Sequence, residues 1–203
     1  MSDLDRALAD LATIRLQIAR QTRFLGLGSG TLAATAVLAL ATGFVQAVLS
    51  GERSPDPLPY FATWIAVAVL CAALVGGEAW RRSRRLHRGL ADEMVIQAVE
   101  GLLPVGGAGA CLGLVFARFA PDQVWMLPGL WQILVGIGLF ASLRVLPRPA
   151  ALVGAWYVLA GLVVFTLASE QHLLSPCLMA LPFAVGQAAL AAVMHRCAGG
   201  ADA

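Results

Sequence analysis

Six stretches of this chain run for 17 to 28 residues without one Asp, Glu, Lys or Arg: 24–51, 57–77, 101–117, 123–143, 149–169 and 171–195. An uncharged block of ~20 residues is the length of helix that crosses a bilayer, and such blocks cannot be left in water. The composition agrees: 13% of residues are charged and 59% apolar, against about a quarter and just under half in a soluble domain. The pattern predicts an all-α, polytopic membrane helix bundle of about six transmembrane helices, with spans near 25–49, 57–78, 94–117, 123–143, 149–169 and 173–195. An amphipathic cytoplasmic helix over 1–23 precedes the bundle, and a short cytoplasmic tail over 197–203 follows it. The third span is the weakest. Its uncharged part, 101–117, covers about 26 Å as a helix and contains Pro104 and five glycines, so it crosses only if the helix begins earlier, near Asp92.

Orientation follows from the arginines, because basic residues are retained on the cytoplasmic side. All 14 basic residues are arginine. In a six-span arrangement only Arg53 and Arg118 fall on one side and the other twelve on the opposite one. The expected location is therefore a bacterial inner membrane, multi-pass, with both termini cytoplasmic. Residues 1–24 carry seven charges and no apolar core, which does not suit a cleavable signal peptide. A formal charge of +2 argues against nucleic acid as a partner. The outer loops are only a few residues long, so whatever is recognised from outside must be small or within the membrane.

The leader has a helix start of its own, with Ser2 followed three residues later by Asp5. Leu4, Leu8, Leu11, Ile14 and Ile18 line one face of it, a stripe that needs a cover. The commoner cover is the membrane surface or the protein's own loops; the sharper alternative is a cytoplasmic protein or a second copy of the chain. Arg81, Arg82, Arg84, Arg85 and Arg88 form a juxtamembrane cluster that fits lipid headgroups.

Three polar residues fall inside spans and form a candidate intramembrane site: Glu100, Gln132 and Gln187. Pro104 removes the backbone donor that the Glu100 carbonyl would otherwise receive, and a carboxylate beside a freed carbonyl suits a cation or a proton. The commoner reading places Glu100 near the inner interface and makes the two glutamines interhelical hydrogen-bonding groups. Spans four and five share a Gly-x-Trp-x-x-x-x-Gly pattern, at Gly129, Trp131 and Gly136 and at Gly154, Trp156 and Gly161. Separate close packing by the glycines and interfacial anchoring by the indoles explain it more simply than an inverted repeat does. Glu78 beside Arg81 and Arg82 reads as an interfacial ion pair. The three histidines and four cysteines share no helical face, and no paired carboxylates, phosphate loop or nucleophile elbow is visible. Neither catalytic residues, nor a metal, nor a cofactor is expected.

Leu8-Ala9-Asp10-Leu11 with Ile14-Arg15, and Leu127-Pro128-Gly129-Leu130-Trp131, give the chain a polar leader helix and a later span opening on Leu-Pro-Gly-Leu-Trp. In this it resembles a group of small polytopic bacterial membrane proteins of no established activity. The chain departs from the group where Gly28-Ser29-Gly30 stands in place of an aromatic near the first span. Some members are encoded beside small winged-helix regulators, and the resemblance implies a membrane sensor or partner. The expected function is thus a non-enzymatic bundle that couples the membrane to a cytoplasmic protein. The alternative is a small transporter or channel subunit acting as a homo-oligomer.

Overall fold

The computed structural model describes residues 28–51, 55–86, 90–144, 146–172 and 174–199; side chains at 82–86, 90–102, 144, 171, 198 and 199 lie outside the description. Among the described residues six α-helices follow one another: α1 Ser29–Ser50, α2 Pro57–Leu86, α3 Leu90–Phe119, α4 Leu127–Ala141, α5 Ala150–Gln171 and α6 Pro176–Gly199. No strand occurs among the described residues. Proline marks several starts, where its missing N–H is one of the helix's orphans: Pro57 and Pro176 open α2 and α6, and Pro149 caps α5. Glycine or an unusual backbone marks two ends. Gly51 closes α1 with φ 59°, and His172 closes α5 in the left-handed region, its N–H on the Ala168 carbonyl.

A helix lies over each expected span, with shifted bounds. Helix reaches into the segment where polar residues suggested loop: α2 runs on to Leu86 and α3 starts at Leu90, because arginine, alanine and leucine are good helix formers whatever their polarity. The expected span 123–143 instead divides into a 3-10 segment, Pro121–Met126, and α4. Pro128 lacks the N–H that would reach the Val124 carbonyl; the Leu127 N–H takes that carbonyl in a tighter turn.

Five helical segments are long and apolar enough to cross a membrane: Ser29–Ser50, Pro57–Arg81, Pro121–Ala141, Ala150–Glu170 and Pro176–Cys197. The apolar part of α3, Leu103–Phe119, is shorter. Its packing shows how far it reaches. Val105 of α3 lies against Gly138 of α4, and Gly109 and Gly113 lie against Trp131, so the two helices run antiparallel side by side. Beyond Val105, α3 continues for fifteen more residues, about 22 Å, whereas α4 ends three residues past Gly138. The helix passes uninterrupted through Pro104.

Each helix touches the next in sequence, and α6 returns to α1, closing the six into a ring. The most extensive contacts are α4 with α5 and α1 with α6. Two packed clusters fill the ring, one toward each end. Leu32, Leu139, Val153, Tyr157, Leu190 and Met194 form the first, at the end that carries Arg81, Arg148 and Arg196. Ala39, Tyr60, Trp64, Leu174, Met179 and Ala184 form the second, at the opposite end. Large apolar side chains such as Phe44, Leu49, Leu58, Val69, Leu114 and Leu152 point outward, as a lipid-facing surface requires.

Candidate functional site

The shared glycine–tryptophan motifs meet each other. A Cβ on Gly129 would stand 2.8 Å from the Gly161 carbonyl oxygen, and one on Gly161 would stand 2.7 Å from that of Gly129. Gly136 and Gly154 form the same reciprocal pair, at 2.8 and 3.3 Å. Seven-residue glycine spacing on both helices therefore lets two antiparallel backbones touch at two levels, a single joint contact and not two separate ones. The tryptophans are also more than interfacial anchors. Trp131 Nε1 donates to the Gly109 carbonyl of α3 at 3.1 Å, and Trp156 Nε1 to the Pro182 carbonyl of α6 at 2.9 Å. Each indole ties the central α4–α5 pair to the helix flanking it.

Of the two described candidate glutamines, Gln132 is the more buried, with 1% of its surface exposed. Its Nε2 donates to the Leu178 carbonyl at 3.0 Å. That carbonyl lies four residues before Pro182, inside α6, so it is the one that proline leaves without a backbone donor. An amide from α4 thus replaces the missing N–H in α6, at a depth where no water would do so. Gln132 Oε1 has no partner among the described residues.

Gln132→Leu should cost about 1 kcal/mol, the usual size of an interhelical hydrogen bond in a membrane. In a Pro182→Ala background, where position 182 regains a backbone N–H that can donate to the Leu178 carbonyl, the same change should cost almost nothing. Denaturation of the four proteins in mixed micelles gives the coupling energy directly; equal costs in both backgrounds would disprove the substitution of amide for backbone donor.

Gln187 sits nine residues further along α6, about 13 Å from Leu178. Its Nε2 donates to the Tyr157 hydroxyl at 3.2 Å, and its Oε1 accepts from the Thr35 hydroxyl at 3.1 Å. Tyr157 in turn donates to the Phe183 carbonyl at 3.1 Å. Thr35 and Tyr157 are fully buried, so this chain of polar groups pins α1, α5 and α6 together at the boundary between the two packed clusters. The two glutamines therefore belong to separate contacts. The side chain of Glu100 lies outside the described residues.

Glu78 reaches the start of α1: its carboxylate accepts from the Thr31 hydroxyl and lies where a Cβ on Gly28 would have to be. The position puts a negative group at the positive end of a helix. The leader stripe of Leu4, Leu8, Leu11, Ile14 and Ile18 lies outside the described residues, as do Arg88 and the side chains of Arg82, Arg84 and Arg85; Arg81 is exposed. Among the described residues, no three His, Cys, Asp or Glu side chains converge on a metal-sized space. Sequence reasoning missed Thr35, Tyr157 and Pro182. Tyr157 follows Trp156 of the shared motif, and Pro182 lies inside an apolar block; only knowledge of which helices are neighbours gives either a role.

The fold and these contacts define a multi-pass α-helical integral membrane protein. Compared with known proteins, the chain matches no family model, no curated protein and no solved structure.

Proposed function

We propose that the chain is a non-enzymatic protein of a bacterial inner membrane, whose cytoplasmic leader couples the state of the membrane, or of a small ligand among the spans, to a cytoplasmic protein partner. The observation that carries this reading is the use made of the intramembrane polar groups. Gln132 completes α6 at Leu178, and Gln187 closes the Thr35–Tyr157 chain, so both join helices, through separate contacts. A transporter or channel subunit would need those side chains on one continuous route, and the Leu178 carbonyl that Gln132 reaches lies about 13 Å from Gln187 along α6. The striped leader and the resemblance to proteins encoded beside winged-helix regulators support a partner on the cytoplasmic side.

The six crossings are supported by the length of α3 beside α4, and the cytoplasmic placement of both ends by the arginine distribution. Deleting residues 2–20 should leave membrane insertion intact and abolish recovery of the partner from mild-detergent extracts of the native host. Partner recovery unchanged by the deletion would refute the coupling role of the leader.

A further inference from the structure

At the arginine-rich end, α5 and α6 part to leave a cleft of about 320 Å³ on the lipid-facing side of the bundle. Leu152 and Trp156 line it from α5, and Val185, Ala189, Ala192 and Arg196 from α6. Those four α6 residues recur at spacings of three and four, so they form one straight strip along the helix. Alanine at 189 and 192 keeps the strip shallow, and on the core side the Tyr157 ring packs so closely on Gly186 that a Cβ there would lie 2.3 Å from it. Trp156 is fixed at its place in the cleft by its bond to the Pro182 carbonyl.

We infer that this cleft holds one anionic phospholipid, with the phosphate on Arg196 and an acyl chain along the strip toward Trp156 and Val185. Length and charge point to that occupant together. From Arg196 to Val185 is eleven residues, about 16 Å, which is half of the ~30 Å hydrocarbon thickness and therefore the depth of one leaflet. Arg196 is the only charged residue among those that line the cleft and stands at its water-facing end; it is exposed and makes no ion pair among the described residues. Arg148, also exposed, sits in the turn directly before Pro149, which lines the same cleft, and adds a second positive charge near the mouth. A cation over an apolar trough one leaflet deep complements a phosphate joined to an acyl chain. A helix from a second copy would have to bring an anion to the same point.

The test is native mass spectrometry of the full-length protein released from mild detergent, in the presence of equal amounts of phosphatidylglycerol and phosphatidylcholine with identical chains. The wild type should retain one phosphatidylglycerol in at least fivefold preference, the factor given by one arginine near an anionic headgroup. Arg196→Gln should lower the preference about fivefold, leaving only what Arg148 supplies, and Ala192→Phe, which fills the trough, should remove both lipids. Arg196 is exposed, so its replacement decides the matter even where the Ala192 variant does not fold. Equal retention of the two lipids by the wild type, or an undiminished preference in Arg196→Gln, would overturn the proposal. So would a dimer that dissociates in Ala192→Phe with no lipid retained, because it would assign the cleft to a second copy.

Discussion

Gly161→Ala should destabilise the bundle by about 2–3 kcal/mol, the upper part of the range for forcing a methyl group into a filled interior. The added carbon would lie 2.7 Å from the Gly129 oxygen, 2.8 Å from Ile133 Cγ1 and 3.0 Å from the Ile133 nitrogen. Two of these three atoms are backbone, and a helix backbone does not turn aside as a side chain does. Relief requires α4 and α5 to separate, which also weakens the contact at Gly136 and Gly154. In a bilayer the surrounding lipid is as apolar as the helices, so close contact supplies most of what holds a pair together and its loss is not made up elsewhere. Gly107→Ala is the matched control. It has open space around the new carbon, and a glycine to alanine change inside a helix is worth about 0.5–1 kcal/mol of added stability. Unfolding followed by tryptophan fluorescence during titration with a denaturing detergent should therefore move in opposite directions for the two variants. A similar response from both would show that the glycine contact does not hold the pair.

What the sequence made legible, and what it did not, follows from the range of each physical effect. Span number and placement depend on runs of uncharged residues, a local property, and each expected span has a helix in the fold. Helix ends were less legible because charged residues such as Arg81 and Arg84 are good helix formers, so polarity alone does not end α2. The likeness between the Gly129–Gly136 and Gly154–Gly161 segments was visible, but their direct contact was not, since the same spacing serves any small-residue interface. Gln132 and Gln187 were recognisable as buried amides. Their partners were not, because pairing Gln132 with the carbonyl freed by Pro182 requires α4 to lie beside α6, and pairing Gln187 with Thr35 requires the ring to close between α6 and α1. Those are properties of the assembled bundle. The Arg196 cleft was hidden for the same reason: on paper its residues are an arginine at a span end and a scatter of small apolar positions.

The proposed six-crossing arrangement with both ends in the cytoplasm underlies the proposed placement of the leader, the arginine cluster and the phospholipid cleft. Its direct test is single-cysteine labelling in a background from which Cys71, Cys111, Cys177 and Cys197 have been removed. Ser54→Cys and Gln171→Cys should react with a membrane-impermeant reagent added to intact spheroplasts, and Ser83→Cys should react only after lysis. The physical grounds are the retention of twelve of the 14 arginines on one side, and the passage of α3 alongside α4 and beyond its end. If α3 did not cross, the last three spans would invert, and Arg148 would face outward against the charge rule. Labelling of Arg148→Cys from outside, with none at Gln171→Cys, would contradict the six-crossing bundle; labelling at Gln171→Cys with none at Arg148→Cys is the predicted result.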